Sequence, residues 1–278
     1  MRINPRLTEK IAKAAIWLAA MLVMSVLSFI ILYILYKGLP AINWSFLTEN
    51  PRNMGREGGI FSTIVGTLSV TFIAVCLAIP FGIGTALYLT EYTRENSFTR
   101  VIRFSTESLA GIPSIVFGLF GFLFFVIYLG LEWSILSGGL TLSVMILPTI
   151  IRTSEEAIRS VPRSYREVSY SLGGTKFQTT FLVVLPSALR GIFNGIILSL
   201  GRCIAETAAV SLTAGSTLRL ARSPLEPTRT MAVHFYILAR EGISMENAFG
   251  TAALLIIVIF IINVGLNALI NRFVARGR

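Results

Sequence analysis

Pro162-Arg163-Ser164-Tyr165-Arg166-Glu167-Val168-Ser169-Tyr170-Ser171-Leu172-Gly173-Gly174 lies between two apolar runs, yet it does not read as a loop. Proline suits the first turn of a helix, where its missing N–H costs nothing. The residues after it keep a helical period, with Tyr165, Val168, Ser169 and Leu172 on one side. Gly173-Gly174 ends the segment, as glycine does where a left-handed cap is needed. The pattern predicts a short amphipathic helix over about 162–174, preceded by a polar helical extension over 153–160. Pattern alone leaves three readings: a helix offered to a partner, one lying on lipid headgroups, or a solvated linker.

Outward from this segment the chain is apolar. Hydrophobic residues make up 54% of the 278 and charged residues 14%, and mean hydropathy is +0.75. A water-soluble globule of this size could not hide that much apolar surface, so the excess faces lipid or other spanning helices. Six runs are candidate spans: 14–36, 60–89, 109–129, 135–151, 189–212 and 248–270. All but the fourth approach or exceed the roughly 20 residues a helix needs to cross a bilayer. The fourth is short and holds Gly138, Gly139 and Pro148, whose freed backbone groups a protein neighbour can cover. Helices are the required form, because lipid offers no partner to an unpaired amide. The first run is too long for a signal peptide and no small-residue cleavage site follows before Lys37, so it reads as a retained anchor.

The 24 Lys and Arg against 14 Asp and Glu are spread between the apolar blocks, with no basic stripe of interleaved aromatics. Nucleic acid is therefore not the expected partner. With the N-terminus inside, sixteen cations fall in cytoplasmic segments, seven in outer ones, and Arg202 within a span. That bias predicts both termini in the cytoplasm. The outer loop of about 213–247, with Pro224 and Pro227, is long enough to meet an external partner. Cys76 and Cys203 lie in apolar runs without disulfide or metal spacing and read as small buried residues. His234, with no Cys or carboxylate cluster around it, reads as an ordinary loop residue; no metal site is expected.

The fifth run carries Arg202 and Glu206, four residues apart and so on one helical face, able to pair. A charge at the centre of a spanning helix costs about 2.5–3.5 kcal/mol on insertion scales, so the pair needs a reason. At 100° per residue Ser199 and Thr213 fall on the same side, beside the small Gly195 and Ala209. The stripe reads as one wall of a wetted path. One interpretation is a structural ion pair locking the helix to a neighbour. The other, favoured here, is that Arg202 meets an anion in transit while Glu206 holds the guanidinium in place. Arginine suits phosphate because its planar fork donates two parallel hydrogen bonds.

Two resemblances sharpen this picture. Glu167-Val168-Ser169, Gly173, and Val183-Val184-Leu185-Pro186 keep every spacing of the cytoplasmic signature of ATP-binding-cassette (ABC) importer permeases: Glu-Ala-Ala, three residues, Gly, nine residues, Ile, any residue, Leu-Pro. Val168, Ser169 and Val183 depart from the preferred residue types, though not from the register. The resemblance implies that this segment is a coupling helix docked in a groove of an ATPase subunit, with Glu167, Val168, Leu172, Gly173, Gly174, Leu185 and Pro186 as the coupling residues. Because the chain has no Gly-x-x-x-x-Gly-Lys-Ser/Thr loop, and Gly173-Gly174-Thr175-Lys176 lacks its spacing, ATP and Mg are expected on that separate subunit and no cofactor on this chain. Further, 109–118, 147–157 and Gly201-Arg202 through Glu206-Thr207 resemble the PstA-type permeases of phosphate importers, the likeness running from about Gly58 to the C-terminus. In that family arginines matching Arg152 and Arg202 are implicated in transport, and the sister PstC-type subunit typically lacks an arginine matching Arg152. Arg152 also stands where a side chain can snorkel to the interface.

The expected fold is therefore all-α integral membrane: six transmembrane helices with a cytoplasmic coupling helix, the type I ABC importer permease fold of the MetI-like superfamily. Residues 1–59 form a tail, the first helix and an outer loop, 60–273 a five-helix permease core, and 274–278 a cytoplasmic tail. The resemblance implies an inner-membrane assembly with a PstC-type sister permease, two PstB-type ATPase subunits and an extracytoplasmic PstS-type phosphate-binding protein. An importer of tungstate, molybdate or phosphonate would share the coupling loop. A transporter working without ATP often shows paired broken helices in inverted repeats, and no such pair is visible in this sequence.

Overall fold

The computed structural model describes residues 5–276, with side chains from 9 to 272. The side chains of Arg2, Arg6, Arg276 and Arg278, which entered the charge count, lie outside the described residues, as do positions 277–278 of the expected tail.

The chain begins with an apolar rod, α1 (Pro5–Gly38), which holds the first expected span. Its far end meets the rest of the molecule at Gly38, where a Cβ would run into the Phe249 carbonyl, and through Tyr33 edge-on to Phe249 at 5.9 Å. A short α2 (Trp44–Thr48) follows, capped by the Asn43 side chain accepting from Phe46 N–H at 2.8 Å. Then come two antiparallel strands, β1 (Pro51–Arg52) and β2 (Glu57–Gly58). Their turn holds Asn53, Met54 and Gly55 at φ of 48°, 60° and 96°, a left-handed run that only the glycine accepts without cost.

α3 (Phe61–Leu87) continues through a wide turn to Tyr92, α4 spans Ser97–Ala110, and α5 spans Ser114–Gly121 before wide turns reach Tyr128. α6 (Ile135–Arg159) leads to α7 (Arg163–Ser171) and the single turn α8 (Lys176–Gln178). α9 (Leu185–Ala205), α10 (Ala208–Thr213), α11 (Met231–Arg240) and α12 (Met245–Arg276) complete the order.

α6 is the centre. Of its most apolar stretch 61% is buried, against none of the corresponding stretch of α1. The short fourth run is thus the best-covered span, and its glycines are packing residues. A Cβ on Gly138 would lie 2.7 Å from that of Ala214, and one on Gly139 2.6 Å from Ile73 Cγ2. Val70, Ala74 and Ala78 of α3 pack there against Leu142, Met145, Ile146 and Ile150. Helices in lipid gain little from the hydrophobic effect on meeting each other, so small residues that allow close contact carry the association.

Four expectations need correction. The third run is not one helix from 109. It breaks at Gly111-Ile112-Pro113, and α4 stands at 104° to the segment Ser114–Tyr128, because a residue before proline is kept out of the helical region. The fifth run breaks between α9 and α10, with Glu206 extended at φ −70°, ψ 128°. The stretch 213–247 is not all loop, since it contains α11 and His234 lies fully buried on it. Cys203 is buried as expected, but Cys76 is exposed on α3.

Candidate coupling surface and permeation path

Pro162 caps α7 at φ −56°, ψ 140°, and Gly173 turns the chain away at φ +82°, so the punctuation read from the sequence operates as expected. No residue of α7 is buried. Tyr165, Val168 and Leu172 are 51%, 60% and 84% exposed and form an apolar stripe left uncovered by the described residues. Beside them lies a groove of about 590 Å³, whose lining continues to Leu182 and Val183. The groove shares Tyr165, Leu182 and Val183 with a cavity of about 1140 Å³ reaching Pro186 on α9 and Leu266 on α12. Glu167 is exposed, Leu185 half-buried and Pro186 in the first turn of α9; Gly174 sits where a Cβ would lie 2.8 Å from the Ser169 carbonyl oxygen. On its other side α7 is held by charge. Arg166 donates to Glu91 and to the Ile158 and Val161 carbonyls.

The charges of the fifth run are placed differently from the helical wheel. Arg202 occupies the last turn of α9, and Glu206 accepts from the Ala209 N–H of α10 at 3.2 Å. Each charge thus sits at the helix end whose dipole it complements. Both side chains are half-buried, and among the described residues no ion pair joins them. Ser199 and Thr213 are buried, and their hydroxyls donate to the Gly195 and Ala209 carbonyls of their own helices. Gly195 is no gap, because a Cβ there would run into Thr153 of α6. The expected stripe is in this respect a packing seam, from which Arg202 and Glu206 emerge. Arg152 lies apart from them. Arg202 is seven residues beyond the Gly195–Thr153 contact, so it stands roughly 10 Å farther along the bundle. The Arg152 side chain is 57% exposed and pairs with Glu156 of its own helix at 3.2 Å.

Sequence reasoning passed over two clusters. Glu155, only 13% exposed, accepts from Arg103 of α4 at 2.8 Å and from Arg159 at 2.7 Å, tying α4 to α6. At the opposite end of the bundle, Arg229 Nη1 lies 3.4 Å from His234 Nδ1 while its Nε donates to the Ser216 carbonyl at 2.8 Å. His234 Nε2 has no partner and lies against Gly55. Burial first, and the Arg229 charge second, hold the His234 pKa down to about 4. The start of α11 was visible in principle: Thr230 precedes an apolar run and caps it by accepting from the Val233 N–H.

Known proteins support this reading of the architecture. The chain is 34% identical over 276 residues to a "Probable ABC transporter permease protein YqgI" of Bacillus subtilis, covering 94% of each. It is 36% identical over 224 residues to the "Phosphate transport system permease protein PstA 1" of Mycobacterium tuberculosis, covering 80% of this chain and 73% of that one. An inward-facing structure of the MetNI methionine ABC transporter superposes with a TM-score of 0.65 at 19% identity, over 77% of this chain and 95% of that one, a likeness of fold. With the family model for the binding-protein-dependent transport system inner membrane component matching residues 78–278, the chain belongs to that family of ABC importer permeases.

Proposed function

We propose that this chain, paired with a sister permease, carries inorganic phosphate inward across the cytoplasmic membrane, driven by ATP hydrolysed on two separate ATPase subunits. The observation that carries the substrate is the 36% identity to a phosphate permease over 80% of the chain. The distribution of Lys and Arg supports α7 and both termini on the cytoplasmic side, which leaves the β1–β2 hairpin and α11 facing an extracytoplasmic phosphate-binding protein. ATP and its Mg belong to the ATPase, whose groove receives the Tyr165, Val168 and Leu172 stripe. Closure of the ATPase dimer then moves α7 as a rigid body and alternates access to the path.

Within that path Arg202 is the anion contact. Its guanidinium has no carboxylate partner among the described residues, and it is half-buried near the end of α9. Glu206, fixed at the start of α10, keeps the local field from holding the anion too tightly to leave. The test is uptake into proteoliposomes holding this chain with its sister permease, ATPase and binding protein. Uptake that needs ATP and survives excess sulfate, molybdate or phosphonate is the expected result. Arg202→Gln should lower it at least roughly tenfold while the complex still assembles, the loss of a charge-assisted fork. Normal uptake by assembled Arg202→Gln would remove that role, and uptake indifferent to ATP would overturn the mechanism.

A further inference from the structure

We propose that Arg166, paired with Glu91, is the positioning residue that makes the docking helix α7 move together with α3 and α6. The proposal rests on the reading of α7 as the seat of an ATPase subunit.

α7 buries no residue fully, so packing against the 179–184 segment holds it only loosely. Beyond its chain connections it needs polar attachments to transmit a push. One is weak: the Ser169 hydroxyl lies 2.8 Å from that of Thr179 in the next segment. The other is Arg166. Its Nη2 donates to Glu91 Oε1 at 2.6 Å, and its Nε reaches both carboxylate oxygens at 3.2 and 3.3 Å. Nη1 donates to the Val161 carbonyl at 2.9 Å, and Nη2 also to that of Ile158 at 3.1 Å. Those carbonyls belong to the last turn of α6 and the residues just past it, where intrahelical donors run out. Glu91 stands in the final wide turn of α3 and is 8% exposed. One guanidinium therefore joins three elements, through a fork whose planar geometry resists swinging better than an ammonium does.

Arg166 also points away from the exposed stripe, so the group that meets the ATPase and the group that grips the spans are different. A residue needed only for folding would stabilise the complex; a strut governs what a push on α7 achieves. α3 carries its own reporter. Of the two cysteines in this chain, Cys76 is exposed on α3 and Cys203 is buried, so with cysteine-free partner subunits a thiol-reactive spin label goes to α3.

The experiment uses the complete transporter labelled at Cys76, with Arg166→Gln, Arg166→Lys, Glu91→Gln and the swap Arg166→Glu with Glu91→Arg. Three quantities are read: ATPase subunits bound, the change in the Cys76 spectrum on adding ATP and Mg, and phosphate carried per ATP hydrolysed. Arg166→Gln and Glu91→Gln should keep the ATPase bound, lose the nucleotide-dependent spectral change, and carry about tenfold less phosphate per ATP. Arg166→Lys should fall between these and the unaltered protein, and the swap should restore part of the ratio. An unchanged spectral response in assembled Arg166→Gln or Arg166→Lys overturns the strut. So does a loss of transport that only follows the amount of complex assembled, with the ratio per ATP intact. Leu172→Asp tests the parent reading separately. It should release the ATPase, and retention of the ATPase would remove α7 as the docking site and the strut with it.

Discussion

The two ends of the bundle both have apolar cores but are linked by different polar contacts. At the hairpin end, separate segments share main-chain hydrogen bonds. Ile135 N–H donates to the Glu226 carbonyl at 3.0 Å, Leu136 to Pro224 at 2.9 Å, Thr228 to Ala214 at 2.9 Å and Ile60 to Phe46 at 2.8 Å. At the α7 end the links are long ionised side chains: Arg103 and Arg159 to Glu155, and Arg166 to Glu91. A main-chain bond fixes two segments at one geometry, whereas a charged side chain keeps its partner through a range of small displacements. On the proposed coupling of α7 to an ATPase, ion pairs that persist through small displacements carry the push into α3 and α6, while the main-chain bonds keep the other end fixed.

The largest expected effect breaks the charged end. Glu155→Ala leaves Arg159 without its carboxylate and Arg103 with the exposed Glu95 at 2.8 Å and the Leu89 carbonyl at 3.4 Å. Stranding part-buried arginines should cost about 2–3 kcal/mol, below the range for fully buried pairs because Arg159 is half-exposed. Thermal unfolding of the purified complex should show the loss. An unchanged midpoint would mean that α4 is held by packing alone and that the contrast between the ends is overstated.

The next effect belongs to the hairpin end and is read by pH. His234 is held neutral with a pKa of about 4, against about 6.5 in an unfolded chain. The folded state therefore binds fewer protons between those values. Its stability is full above about 6.5, declines as pH falls towards 4, and is level below. By pH 5 the loss should be about 2 kcal/mol, and His234→Gln should flatten that part of the profile. The groups facing the ring are Arg229, which deepens the penalty, and the uncharged turn at Gly55. A pH profile unaffected by His234→Gln would show that the hairpin end opens to water.

What could be read in advance divides along similar lines. α7 was legible because proline, a helical period and paired glycines act on their own neighbours, and local chemistry survives the absence of a fold. The break before α5 carried its signal too, in Ile112-Pro113, but a count of apolar residues started at Leu109 and ran through it. The break at Glu206 offered neither proline nor glycine. A period of 100° passes through Ala205-Glu206-Thr207 without interruption, so Arg202 and Glu206 looked like one face instead of two helix ends. The links Arg103–Glu155 and Arg166–Glu91 span 52 and 75 residues, and nothing local to either partner marks the other. The main-chain stitching of the hairpin end leaves no residue signature at all.

The smallest expected effect concerns Arg152, and its smallness makes it informative. Its pairing with Glu156 joins side chains 57% and 67% exposed, and such pairs contribute within about 0.5 kcal/mol. Glu156→Gln should thus leave the unfolding midpoint where it was, and so should Arg152→Gln. Any difference between the two variants must then arise from the solute. If Arg152 only snorkels to the interface and meets Glu156 there, both variants take up phosphate at the same rate. If Arg152 touches the anion as it leaves the path, uptake falls in Arg152→Gln alone, with assembly and stability matched. That outcome would place a second guanidinium roughly 10 Å beyond Arg202, at the charged and adjustable end of the bundle, where an anion passed along from the firm end would need its next partner.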